Sequence, residues 1–255
     1  RCAKQIQNEF EYLVWRSLRH APPMQDLLDD LIGCLSEREI KPLAVDDAIA
    51  QLLELLRQRR CLLVLDRGET ILRQGELAGY YDRQHAGYKE LLSRIGRIPH
   101  QSCLILTSLE KPREIAALEG NTLPVRSLQL GGLQLEAREI LKEKNLSDER
   151  KWEDLIHLYR GNPLALKIVS TTIQDLFAGK VSEFLKQNTI VFGDLRDILE
   201  EQVERLSNLE IEILYWLALE TKPVTILELR NDILLPRAHS DLIDALESLL
   251  RRTLI

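Results

Sequence analysis

No stretch of this sequence approaches the roughly 18 consecutive apolar residues that a membrane-spanning helix needs, and the amino end lacks the layout of a signal peptide. A membrane role is therefore not expected. An excess of positive charge is missing too: 34 Lys and Arg stand against 40 Asp and Glu, a net charge of −6. Nucleic-acid binding normally announces itself as a basic patch or a high pI, so DNA is not an expected partner. Cysteine is sparse and widely spaced, at Cys2, Cys34, Cys61 and Cys103, with no C-x-x-C pair and no His placed to complete a zinc site. Cys61 and Cys103 each open an apolar run, which reads as buried, reduced thiols in a reducing, cytoplasmic setting. The five histidines are scattered, and none forms H-E-x-x-H or sits beside an evident Ser or Cys nucleophile. Internal repeats and low-complexity tracts are absent as well.

The last absence concerns phosphate chemistry. Nothing between Arg1 and Ile255 matches a glycine-rich loop ending in Gly-Lys-Ser/Thr. Yet the stretch Cys61 to Leu65 is an unbroken apolar run that stops at Asp66, with Glu69 one short turn later. A parallel strand buried on both faces reads this way, and ligands of open α/β sheets sit just beyond the carboxyl ends of such strands. Asp66 thus stands where a carboxylate could meet a phosphate-bound magnesium ion, although an Asp at a turn also ends many ordinary core strands. The chain opens without Met on Arg1-Cys2-Ala3-Lys4-Gln5-Ile6, which reads as the last turns of a helix. A phosphate loop belongs immediately upstream of such a helix, so the sequence is expected to be a fragment.

The composition, 255 residues with 45% hydrophobic and 29% charged, allows one large domain or two to three small ones. Strand-like runs at Phe10 to Trp15, Cys61 to Leu65, Cys103 to Thr107 and Val125 to Leu130 are separated in the first half by segments of helical periodicity. Those segments are Met24 to Leu35, Val45 to Leu56 and Tyr88 to Ile95; the second carries Asp46 and Asp47 at its start and Arg57, Arg59 and Arg60 at its end, matching the helix dipole. Such alternation implies a parallel sheet with crossover helices. After Gly131-Gly132 helices follow one another: Leu133 to Glu143, Asp148 to Tyr159, Pro163 to Leu176, Leu195 to Leu206, Leu209 to Leu219, Ile226 to Ile233 and His239 to Leu250. A boundary is expected near residue 131, and a second near Val191 to Asp194, where Phe192-Gly193 interrupts the pattern. The final three helices, with breaks at Pro223 and Pro236, have the lengths of a helix-turn-helix or winged-helix module.

Between two of these helices lies Gly161-Asn162-Pro163-Leu164-Ala165-Leu166. Local physics accounts for it: Gly161 ends one helix in the left-handed conformation, Asn162 caps the next, and Pro163 suits its first position. A functional account has this rigid cap present Pro163 to a flat ring such as adenine.

Taken together, Phe10 to Leu18 followed by Ala21-Pro22-Pro23, Cys61 to Asp66, Leu104-Ile105-Leu106-Thr107-Ser108 and Gly161 to Leu166 occur in the order and spacing of the NB-ARC family. The chain resembles the bacterial, cyanobacterial-type members of these STAND signalling ATPases, which are often linked to WD repeats. The resemblance implies a P-loop NTPase-like α/β sheet over residues 1–130 that lacks its first strand and phosphate loop. A helical domain over 131–192 and a C-terminally incomplete winged-helix domain over 193–255 would follow it. It implies ADP or ATP with Mg2+ as cofactors, weakly held or absent without the phosphate loop. Asp66 would orient the metal through water, Glu69 would supply a second carboxylate in catalysis, Thr107 and Ser108 would approach the γ-phosphate, and Gly161, Asn162 and Pro163 would bind adenine. An intramolecular repeat sensor, an N-terminal effector and oligomerisation on activation are the implied partnerships. Two departures stand out. Arg67 occupies a position that is often acidic or an amide in the family, and Leu109 replaces an Arg that reads the γ-phosphate. Losing that cation removes stabilisation of phosphoryl transfer, so at most weak ATPase activity is expected. The alternatives are a nucleotide-free scaffold for protein–protein interaction and a winged-helix transcription regulator. Against the last, residues 207–255 carry five basic and eight acidic residues, and His239 to Leu250 has no Lys or Arg to neutralise phosphate.

Overall fold

A computed structural model describes residues 5–36, 44–187, 195–220, 222–233 and 239–255. The elements in chain order are β1 (Tyr12–Ser17), α1 (Met24–Ser36), α2 (Val45–Gln58), β2 (Cys61–Asp66), α3 (Ala86–Arg97), β3 (Cys103–Leu106) and α4 (Arg113–Leu118). Then come α5 (Ala137–Glu143), α6 (Trp152–Leu158), α7 (Pro163–Phe177), α8 (Val181–Leu185) and α9 (Leu195–Glu204), followed by α10 (Asn208–Leu219), α11 (Ile226–Asp232) and α12 (His239–Arg251). Contacts divide the chain into two compact units, one formed by residues 1–127 together with 205–255 and the other by 128–204. The sequence expectation of a break at Val191 to Asp194 lies outside the described residues, as does the break at Pro236.

In the first unit the three strands form a parallel sheet in the order β1-β2-β3, with Tyr12 opposite Cys61 and Leu62 opposite Cys103. One face is closed. Val14, Cys61, Leu63 and Leu65 join the inward residues of the helices, among them Leu28 and Leu31 of α1, Ile49 and Leu52 of α2, and Tyr88 and Leu91 of α3. Strand alternation sends Leu13, Trp15, Leu62, Val64, Cys103 and Ile105 to the other face. There central Leu62 and Val64 are buried, but Leu13, Cys103 and Ile105 are exposed and Trp15 is 49% exposed. Among the described residues β3 pairs with β2 alone, so its outer edge carries no neighbouring strand.

This open edge explains two corrections. Val125 to Leu130 is not a strand: Val125 makes only an isolated bridge to Glu119, and Leu128 and Leu130 are 84% and 86% exposed. A strand needs a neighbour to satisfy its backbone, and none of the described strands reaches this segment. Cys103 is exposed rather than buried, because it lies on the edge strand and on the uncovered face; Cys61, on the covered face of the central strand, is buried as expected.

The same unit holds a second apolar cluster built by the C-terminal helices. Leu209 and Ile213 of α10, Leu229 of α11, and Leu242, Ala245 and Leu249 of α12 form it, and Leu77 from the loop after β2 packs against it. Ser207 with Glu210, and Thr225 with Glu228, form capping boxes that start α10 and α11. The other unit buries Leu141, Trp152, Leu155, Leu166, Val169, Ile173 and Phe184 between α5 to α8. Its first helix starts at Ala137 rather than Leu133, because the backbone at Leu133 is taken up in a different bond, described next.

Candidate functional site

The site residues expected from sequence fall in both units. In the first, Asp66 is the last residue of β2 and lies at the carboxyl edge of the sheet. Its neighbour across the edge is Thr107, whose hydroxyl donates to Asp66 Oδ1 at 2.5 Å and accepts from the Arg67 N–H at 3.1 Å. The Thr107 backbone continues the ladder by donating to Leu65 O at 3.0 Å and accepting from the Gly68 N–H at 2.7 Å. Gly68 is closely packed: a Cβ there would lie 2.8 Å from Leu106 Cδ1, whose side chain would have to shift, and 3.2 Å from Thr107 O. The preceding Arg67 takes the left-handed conformation, at φ 66°, so the chain turns sharply directly after Asp66. Thr70 closes the turn by donating from Oγ1 to Leu18 O, at the end of β1. Asp66 is half-buried, while Thr107 and Ser108 are exposed. A partly exposed carboxylate, braced by a hydroxyl from the next strand, fits a water-mediated contact to a magnesium ion. Among the described residues no group of three or more His, Cys, Asp or Glu is placed to enclose a metal.

Glu69 lies beneath this surface rather than on it. It is buried, its Oε2 accepts from the Leu109 N–H at 3.3 Å, and its Oε1 lies 3.9 Å from Arg67 Nε. The carboxylate therefore ties the turn after β2 to the turn after β3. Leu109 itself is 40% exposed, with an apolar side chain where the resemblance leads one to expect a guanidinium.

Sequence reasoning missed the layer below. Glu110, Arg205, Glu210 and Arg252 form a charge cluster whose carboxylates are fully buried and whose guanidiniums are only 4% exposed. Arg205 pairs with Glu110, and Arg252 lies 2.6 Å from the other Glu110 oxygen and 3.2 Å from Glu210. Burial pushes the Glu110 carboxyl up, against the opposing pull of the two arginines. The only sequence signal was the capping box at Ser207 and Glu210; nothing local pairs Glu110 with residues so far downstream.

In the helical unit, Gly161, Asn162 and Pro163 form the start of α7. Asn162 Oδ1 accepts from the N–H groups of Leu164 and Ala165 at 3.0 and 3.1 Å, and Pro163 occupies the first helical turn. Gly161 is left-handed at φ 65°, and its carbonyl accepts from the Leu133 N–H at 2.8 Å. The two backbones run so close that a Cβ on Gly161 would lie 2.0 Å from Leu133 O, and one on Gly132 would lie 1.9 Å from Arg160 O. Gly132 is thus part of the cap, which the sequence presented only as a boundary. Pro163 and Leu164 are exposed.

No family model matches this sequence. A curated relative does. The chain is 47% identical over 253 residues to an uncharacterized WD repeat-containing protein of Nostoc sp., covering 96% of this chain and 20% of that protein. The chain therefore spans about a fifth of the length of the curated relative it matches. Among solved structures, the ORC1 protein of Aeropyrum pernix in complex with DNA aligns with a TM-score of 0.43 at 15% identity, covering 98% of this chain and 71% of that one. Among the described residues no helix is long and apolar enough to cross a membrane.

Proposed function

We propose that this chain is the nucleotide-controlled switch module of a STAND signalling ATPase of NB-ARC type. The observation that carries the reading is Asp66 at the carboxyl edge of a parallel sheet, hydrogen-bonded to Thr107 directly after the adjacent strand. The bare edge of β3 and the uncovered face with Leu13, Trp15 and Ile105 support it, because a parallel sheet is covered on both faces. A further strand and helix bearing a phosphate loop would fill both vacancies. In this reading the parts are the α/β domain 1–130, the helical domain 131–192 and the winged-helix domain 193–255. Asp66 would hold magnesium, Thr107 and Ser108 would serve the terminal phosphate, and Pro163, fixed by Gly161 and Asn162, would serve adenine. Bound magnesium neutralises phosphate charge; the protein groups supply position. Glu69, engaged by Leu109 N–H, braces the site from within.

Exchange of ADP for ATP would shift the population between two states by differential contacts. A WD-repeat sensor, an N-terminal effector and oligomerisation on activation complete the scheme, in the cytoplasm. Turnover is weak at most, since exposed Leu109 offers no cation to the transition state. The same residue favours the second reading, a scaffold that has lost nucleotide. DNA readout by α12 is not favoured, because Leu242, Ala245 and Leu249 turn inward and the helix has no Lys or Arg before Arg251.

The test uses the full-length protein and calorimetric titration with ADP and with ATP plus Mg2+. Asp66→Asn should weaken magnesium-dependent ATP binding more than magnesium-free ADP binding. Equal losses in a folded variant would make Asp66 merely structural, and no nucleotide binding by the wild type would leave the scaffold.

A further inference from the structure

We infer that Arg205 and Arg252 are positioning residues for the two turns that follow β2 and β3, so that the C-terminal helices hold the Asp66–Thr107 edge in place from below. The bonds run from one region to the other at several points. Arg205 Nη2 donates to the Glu69 carbonyl at 2.8 Å and also to Glu110 Oε1. Arg252 reaches Glu110 Oε2 with Nη1, Glu210 Oε1 with Nε and the Glu76 carbonyl with Nη2, the last at 2.8 Å. Ser248 Oγ donates to Glu210 Oε1 at 2.6 Å and accepts from the Ala78 N–H at 2.5 Å. Backbone bonds from Gly75 N to Arg205 O and from Lys111 N to Arg251 O, both 3.1 Å, close the frame.

A buried ion pair is a poor device for stability alone, since apolar residues of similar volume often do as well. What two guanidiniums and two carboxylates supply is direction. The charges balance, and directed hydrogen bonds run from Arg205 Nη2 and from Arg252 Nε and Nη2, while Arg252 Nη1 meets Glu110 Oε2 as a charge contact alone. Those acceptors lie on the turns in question. Arg205 grips the main chain at Glu69, whose side chain grips the main chain at Leu109, and Glu110 next to it is held by both arginines. The result is a continuous path from α12 and the start of α10 to the residues flanking Asp66 and Thr107. It rests on the nucleotide reading only for what those turns bind, not for the coupling itself.

Hydrogen exchange in the full-length protein tests it. Arg205→Gln should speed exchange by about tenfold or more at the amides of Gly68 to Leu72 and Leu109 to Lys111, with β1, α1 and α2 unchanged; Arg205→Lys should restore part of the protection. A second variant guards against simple unfolding: Arg205→Leu with Glu110→Leu replaces the pair by apolar groups, and should keep the melting temperature near wild type yet leave the turns fast-exchanging. Faster exchange confined to residues 205–255, uniform loosening of the whole unit, or fully protected turns in the double variant would each overturn the inference. Calorimetry with ATP and Mg2+ on the same samples separates the two proposals: absent binding by wild type removes the nucleotide reading, while the exchange pattern still decides the coupling.

Discussion

The two regions that carry the expected site residues are held in opposite ways. At the edge of the sheet, Asp66, Glu69 and Thr107 are kept in place by side chains, many of them charged and some reaching from the far end of the chain. At the start of α7, Gly161, Asn162 and Pro163 are kept in place by short-range, uncharged devices: a left-handed glycine, the Asn162 side-chain cap and a main-chain bond to Leu133. The first arrangement depends on charge balance; the second depends on the absence of a side chain at Gly161 and on a neutral amide, and is indifferent to charge.

The largest expected effect breaks the first arrangement. Glu110→Ala leaves two buried guanidiniums without their shared carboxylate, and should cost about 4 kcal/mol in urea unfolding, the range for an orphaned buried charge. A cost under about 1 kcal/mol would mean that the cluster behaves as surface charge, and the contrast would fail. Next comes Gly161→Ala, which combines a positive φ with a Cβ driven into Leu133 O; about 3 kcal/mol is expected, with no dependence on salt. Asn162→Ala removes only the cap and should cost about 1 kcal/mol, whereas Asn162→Gly should cost a few tenths. Equal losses for the two Asn162 variants would show that the side chain does more than cap.

The smallest effect sharpens the charge side of the comparison. Burial raises the Glu114 carboxyl above its ordinary range, against the hydrogen bond from the Tyr81 hydroxyl. The folded state therefore keeps a proton that the unfolded chain has already released. Its contribution is full below the unfolded carboxylate range and is lost as pH rises toward the folded value. Glu114→Gln keeps an acceptor for Tyr81 without the titration. Melting curves of variant and wild type should coincide near pH 4 and separate at neutral pH, with the variant the more stable. A variant less stable at neutral pH would show that the carboxylate is needed there in charged form.

Legibility in the sequence follows the same divide. Cys61 to Asp66 could be read as a central strand because burial on both faces leaves one continuous apolar run. Helices α1, α2 and α3 could be read because each buries one stripe, as Met24, Leu27, Leu28, Leu31, Ile32 and Leu35 do. The cap of α7 was legible at Gly161, Asn162 and Pro163, being local, but the part that Gly132 and Leu133 play in it was not. Val125 to Leu130 misled because its alternation presupposes a neighbour strand, and Cys103 misled because an edge strand has the same apolar letters as a central one. Glu110, Arg205, Glu210 and Arg252 were illegible for a different reason. In the sequence they are charges among many others; only tertiary closure makes them partners.

That closure has a cost in time. Glu110 meets Arg205 across 95 positions, and Ala78 meets Ser248 across 170. The helical unit, by contrast, is one uninterrupted stretch, 128–204. On a ribosome adding roughly 5–20 residues per second, on the order of ten seconds separate the synthesis of Glu110 from that of its last arginine. Through that interval the carboxylate stays in water and the turns beside Asp66 stay unbraced, while the inserted helices can already be folded. Of these 255 residues, the α/β part is made before the helical unit and finished after it.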